Sequence, residues 1–134
     1  MRQPITPYLT VRDAAGAIAF YQKAFGATEN MRMAAEDGKR LMHADLTING
    51  GKIYLSDEFP EHDSVAAPAQ GQRPPVAMAL AFAQPAEVDA MFARATQAGA
   101  KGALPPGDMF WGERFAMLHD PYGHRWMLSA PLGK

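Results

Sequence analysis

The chain contains no cysteine. A disulfide framework, a thiolate metal site and a cysteine nucleophile are all excluded by that absence. No apolar run reaches the roughly 20 residues that a membrane-spanning helix needs. The proline-broken start, MRQPITPYLTV, also lacks the apolar stretch of a secretory signal, so the expected compartment is the cytoplasm. Excess charge of either sign is missing as well. Thirteen basic side chains stand against 14 acidic ones, for a formal net charge of −1. Nucleic-acid binders carry a basic stripe, and none is visible, so neither nucleic acid nor membrane is an expected partner. Glycines are plentiful but do not form a phosphate cradle, because Gly50-Gly51 sits in a hairpin turn rather than between a strand and a helix. No serine or threonine has an evident base partner, so nucleophilic catalysis has no support.

What is present is ordinary globular material. With 134 residues, 48% hydrophobic and 20% charged, the chain suits one domain that buries roughly two-thirds of the surface its unfolded form exposes.

Ile5 to Val11 is rich in β-branched and aromatic residues and reads as a strand. Asp13 then offers an N-cap, and Ala14, Ala17, Ile18, Tyr21 and Phe25 recur at helical spacing before Gly26. Thr28 to Ala35, Arg40 to Ile48 and Lys52 to Asp57 read as three antiparallel strands. Asp37-Gly38 and Asn49-Gly50-Gly51 mark the hairpins between them. Phe59 to Pro75 has no periodicity and carries four of its prolines at 60, 68, 74 and 75, so it is expected to be a mobile linker. The pattern then restarts. Val76 to Phe82 is a strand, Pro85 opens a helix that Gly99 ends, and Lys101 to Leu104, Arg114 to Leu118 and Arg125 to Ser129 are strands.

The two halves share a register. Gly26 and Gly99, Gly50 and Gly123, and Tyr54 and Met127 are each 73 residues apart. The chain therefore reads as an α+β domain over 1–134, made of two tandem βαβββ modules. Module one spans about 1–58, the linker about 59–75 and module two about 76–134. A helix covers only one face of each four-stranded sheet, so the other faces are expected to curve into a cleft for a small molecule.

Two stretches carry a resemblance: ITPYLTVRDAAGAIAFYQKAFGA (Ile5 to Ala27) and FWGERFAMLHDPYGHRWMLS (Phe110 to Ser129). They resemble the vicinal oxygen chelate superfamily of glyoxalases, bleomycin-resistance proteins and dioxygenases. The middle stretch HADLTINGGKIYLSDE, His43 to Glu58, is similar to its PhnB-like branch. The resemblance implies metal ligands on the first and last strands of each module, and these positions fall on Thr6, Tyr54, Ala77 and Met127. Divalent ions want imidazole nitrogen or carboxylate oxygen. Ala77 and Met127 supply neither, and the neighbours Ile5, Pro7, Val76 and Met78 are no better. The usual metal site is therefore expected to be absent, although a divalent metal on relocated ligands stays open.

The remaining chemistry is sparse. His43 and Asp45 share one strand face, whereas His119 and Asp120 point opposite ways and His124 follows a turn and reads as exposed. Their simplest role is as surface or satisfied sheet histidines, and an acid–base role for His43 or Tyr54 is the sharper alternative. Phe110 and Trp111 are suited to stacking on a planar ligand, with Asp108 and Glu113 nearby; the resemblance places this region beside the drug groove of bleomycin binders. An alternative role for Trp111 is in the core or at a dimer interface. Tyr8 and Tyr54 offer hydroxyl groups to the cleft, and Met127 with Met109 and Met117 offers an adaptable apolar wall. Trp126 is expected to pack under a helix. The expected function is metal-independent binding of a planar or aromatic ligand, such as an antibiotic, with no cofactor, by a homodimer. The competing expectation is a divergent lyase, isomerase or dioxygenase-like enzyme with relocated ligands.

Overall fold

A computed structural model describes residues 3–63, 65–69 and 71–133. The first half runs β1 (Tyr8–Val11), α1 (Ala14–Phe25), β2 (Thr28–Ala34), β3 (Leu41–Ile48) and β4 (Gly51–Asp57). After a 3-10 turn at Pro60–His62 come β5 (Ala77–Ala81), α2 (Pro85–Ala98), β6 (Lys101–Asp108), β7 (Glu113–His119) and β8 (Arg125–Pro131). The strands form two four-stranded sheets in the orders β1-β4-β3-β2 and β5-β8-β7-β6. Both are βαβββ units, so the fold is the tandem α+β arrangement that the sequence repeat implied.

Local chemistry explains the helix boundaries. Asp13 starts α1 by accepting the Gly16 amide, and Gly26, at φ 69°, ends it by returning its N–H to the Gln22 carbonyl. In the second half Glu87 accepts the Gln84 amide at 2.9 Å, and Gly99 closes α2 at φ 126°. The 73-residue register holds at the C-terminal caps, Gly26 and Gly99, but the N-caps Asp13 and Gln84 are 71 apart, and Tyr8 pairs with Tyr54 whereas Ala79 pairs with Met127. The first strands are thus offset by 71, and α2, with 14 residues against 12 in α1, takes up the difference.

Strand alternation sorts the two faces. Ala44, Leu46, Ile53 and Leu55 in the first sheet, and Ala116, Leu118, Trp126 and Leu128 in the second, are buried in one cluster with both helices. Trp126 sits beneath α1, its ring centroid 4.6 Å from that of Phe25 and 5.4 Å from that of Tyr21. Below that contact, the buried Asp120 accepts the Tyr21 hydroxyl at 2.5 Å, the Trp126 indole at 2.8 Å and the Tyr122 and His124 amides. This carboxylate joins the halves through side chains that are 99 residues apart. Burial and the adjoining Asp120 charge push the Tyr21 phenol far up, so it remains a donor.

Three boundaries differ from the sequence reading. The first strand begins at Tyr8 rather than Ile5, because Pro7 has no N–H and contributes only a carbonyl, which accepts the Tyr54 amide at 3.0 Å. Thr6 therefore lies ahead of the strand. The sixth strand continues past Leu104 to Asp108 through Pro105 and Pro106. It can do so because β6 is an outer strand and its ladder shifts between Leu104 and Gly107. The third difference lies within 59–75, where a 3-10 turn at Pro60–His62 stands in a stretch read as irregular.

Candidate functional site

The open face of the first sheet collects a polar aromatic group. Tyr8 and Tyr54 are register partners, and two strands on, His43 comes to the same face. The Tyr8 hydroxyl lies 2.7 Å from His43 Nδ1 and 3.5 Å from the Met42 carbonyl. Burial pushes the Tyr8 phenol up, so it keeps its proton at neutral pH. Which of the Tyr8 hydroxyl and His43 Nδ1 donates is set by the imidazole tautomer. The Tyr54 ring stands edge-on to both, with centroids 5.8 Å from Tyr8 and 4.9 Å from His43. Asp45 is occupied by Lys52 at 3.2 Å and Asn30 at 3.1 Å.

Beside this group the described residues of the 59–75 segment form a roof. Two arginines contact it. Arg12 donates to the Pro68 carbonyl at 2.9 Å and the Ala67 carbonyl at 3.4 Å, and Glu58 accepts the Ala67 amide at 2.9 Å. Arg40 holds Glu61 through both carboxylate oxygens at 2.6 and 3.2 Å and lies 4.2 Å above the Phe59 ring. Prolines reduce the freedom that these few bonds must restrain. Under the roof is a cavity of about 920 Å³, a size typical of small-molecule sites. Tyr8, Thr10, Met42 and Ser56 form its floor, Phe59, Val65 and Pro75 its cover, and Val76, Met78 and His124 of the second half its far side.

His124 departs from expectation. It is half-buried, and its Nε2 lies 2.9 Å from the Thr10 carbonyl. A carbonyl only accepts, so Nε2 holds the proton, and the contact closes the seam between the halves.

The remaining candidates stand elsewhere. Phe110 is 98% exposed and Trp111 50% exposed in the turn between β6 and β7. The Trp111 indole donates to Glu113 at 2.8 Å, and its ring meets Phe115 edge-on at 5.6 Å. Met127 lies mid-strand on the open face of the second sheet, beside Met117 and Ala79. None of these three lines the apolar cavity. The structure therefore brings Tyr8, His43 and Tyr54 together and leaves Phe110, Trp111 and Met127 on the other sheet. Thr10 and Ser56 were missed, although each lies two residues after a named tyrosine and so on the same face. The roof residues gave no such signal, because their position depends on the chain path.

The positions that the resemblance assigns to metal are Thr6, ahead of β1, Tyr54 on β4, Ala77 on β5 and Met127 on β8. Among the described residues no three His, Asp or Glu side chains group as an ion would require. This donor set does not suit a divalent cation.

The model of the glyoxalase/bleomycin resistance protein/dioxygenase superfamily matches residues 4–128. The chain belongs to that superfamily. The uncharacterized protein Rv0887c of Mycobacterium tuberculosis is 41% identical over 130 residues, covering 96% of this chain and 74% of its own length. Its counterpart Mb0911c of Mycobacterium bovis is also 41% identical, over 96% of this chain and 83% of its own. Among solved structures, TioX from Micromonospora sp. ML1 superposes with a TM-score of 0.70 at 26% identity, over 98% of this chain and all of its own. The PhnB protein from Bacillus cereus gives 0.73 at 22% identity, with the same coverage. The fosfomycin resistance protein FosX from Listeria monocytogenes, solved with Mn(II), gives 0.69 at 21% identity, over 98% of this chain and 92% of its own. Those last two likenesses show the fold alone. Among the described residues no helix is long and apolar enough to cross a membrane.

Proposed function

We propose that the protein binds a planar, largely apolar small molecule, of antibiotic type, in the roofed cavity of the first half, without metal. The cavity itself carries the reading: about 920 Å³, mostly apolar walls and a few directed polar groups, notably the Tyr8 hydroxyl and Ser56. Metal independence follows from donor chemistry, because Ala77 and Met127 occupy two of the four superfamily positions. The protein acts as a homodimer, in which a second copy covers exposed apolar side chains such as Phe110 and Trp111. Sedimentation equilibrium tests this part; a monomer at micromolar concentration overturns it.

Titration with the neutral planar dye Nile red, followed by competition with a panel of planar antibiotics, tests the binding site. The expected result is saturable binding, one dye per chain, weakened about tenfold or more by Met42→Asp, which sets a charge in the apolar wall. Binding lost in Trp111→Ala but kept in Met42→Asp would move the ligand to the second sheet and overturn the assignment.

One observation favours a second reading. The Tyr8–His43 hydrogen bond is a pair suited to proton transfer, as a lyase or isomerase would use. Turnover, or stoichiometric metal bound through His43 or Tyr54, would favour that enzyme over the binder.

A further inference from the structure

One rung of the second sheet carries basic side chains on three of its four strands and ends at Ala77 on β5. Lys101 on β6 pairs with His119 on β7, and His119 with Arg125 on β8. Cross-strand partners point to the same face, and here it is the open one, since Leu118 and Trp126 fill the core between these positions. Arg73, from the roof segment, stands close enough for its charge to reach His119.

These cations are not neutralised within the chain. Arg12, Arg32, Arg40, Lys52 and Arg114 all form ion pairs, but among the described residues Arg73, Lys101 and Arg125 form none. Arg125 Nε is moreover buried without any hydrogen-bond partner, a costly state for part of a charged group. Lys101 and His119 line a second cavity of about 530 Å³ together with Arg73 and Arg12, and Arg125, outside that lining, is the strand partner of His119. The cavity's two acids are engaged: Asp13 caps α1, and Asp120 accepts four donors. Burial first, then Arg125, Arg73 and Lys101, hold the His119 imidazole below its ordinary value, against the opposing pull of Asp120. The neighbouring rung on the same face is apolar, with Met117 beside Met127.

We propose that Lys101, His119, Arg125 and Arg73 form an oxyanion site that takes the sulfonate, phosphate or carboxylate group of a small molecule. The apolar remainder of that molecule lies on the Met117–Met127 rung. The orphaned Arg125 Nε gains an acceptor, and the unpaired cations gain their counter-charge. Anion binding also raises the proton affinity of His119, so by linkage it tightens as the solution is acidified through the His119 titration. Its basic residues lie outside the apolar cavity, although Pro68 lines both cavities, and the assignment does not depend on what binds under the roof.

Sulfate and benzenesulfonate are suitable probes, because neither titrates in the working range. In NMR titrations of the His119 ring, both are expected to saturate and to raise its pKa, with benzenesulfonate the tighter. Lys101→Gln, which changes an exposed side chain, and Arg125→Gln should each weaken binding about tenfold or more. Arg32→Gln removes the same charge from an ion-paired surface arginine and should leave binding intact, and Nile red binding should be unchanged in all three. An equal response to chloride at matched ionic strength, or an equal loss in Arg32→Gln, would overturn the site. Sulfate binding as tightly as benzenesulfonate would overturn the apolar part of the assignment.

Discussion

The two halves repeat one topology and use it differently. Helix α1 buries seven side chains between the sheets, from Ala14 to Phe25, whereas α2 buries only Val88 and Ala95. The open faces diverge further. The first carries Tyr8, His43 and Tyr54 with its charges matched, Lys52 to Asp45; the second carries Met117, Met127 and Phe115 with the unpaired Lys101 and Arg125 at one end. What the halves retain is what makes the fold: capping glycines at positive φ and buried alternate positions on the inner strands. What they do not retain is the open face, whose side chains lie outside the shared core. The fold and the site thus obey different constraints within one repeat.

The largest expected effect concerns the seam between the halves. Asp120→Ala leaves the buried Tyr21 hydroxyl and Trp126 indole without an acceptor, and should cost about 3–5 kcal/mol in urea denaturation. Asp57→Ala strands only backbone amides, of Asp13, Ala14 and Leu41, all within the first half, and should cost less. A cost below about 1 kcal/mol for Asp120→Ala would mean that the seam is held by packing alone.

Next come the caps. Gly26→Ala and Gly99→Ala each place a Cβ at positive φ, and each should cost about 1 kcal/mol in thermal unfolding. Clearly unequal costs would show that the halves are not equivalent even where their sequences agree. Tyr8→Phe keeps the ring but removes the hydrogen bond to His43. It should weaken a ligand bound at Tyr8 by about 1 kcal/mol, roughly fivefold, with the melting temperature nearly unchanged. An unchanged affinity would place the ligand away from that hydroxyl.

The smallest effect concerns the roof. The Arg40 and Lys39 backbone amides, then the Arg40 guanidinium, hold the Asp37 carboxyl down to about 2, and the Arg40 guanidinium holds Glu61 down to about 2. Their folded values lie below the ordinary ones, so their contribution is complete above the ordinary carboxylate range and is lost as pH falls toward 2. Both are largely solvated, and salt should screen the effect. Protease cleavage within 59–75 should therefore quicken between pH 5 and pH 2.5, or in strong salt, and Arg40→Ala should be fast at both pH values. Equal wild-type rates at the two pH values would show that the roof does not depend on this cluster.

Much of the fold was legible in the residues. Asp13 and Gly26 bracket α1, and the Asn49-Gly50 turn precedes β4, because caps and turns depend on neighbours in the chain. Tyr8, His43 and Tyr54 were each legible as open-face residues. Their convergence was not, since it depends on the pairing of Tyr8 with Tyr54, which are 46 residues apart in the chain. His124 read as an exposed turn residue because nothing near it in sequence shows that Thr10 lies opposite. Likewise, Arg12 and Arg40 gave no sign that they would contact the proline-rich segment.

By itself, then, the sequence determined the duplicated βαβββ architecture and the loss of good metal donors at Ala77 and Met127. Both follow from local periodicity and side-chain chemistry. Only the tertiary structure decided where a ligand has room: under the roof by Tyr8, with Trp111 outside, and beside a rung that gathers Lys101, His119 and Arg125. Strand register brings these residues together over long separations, and no local pattern encodes that.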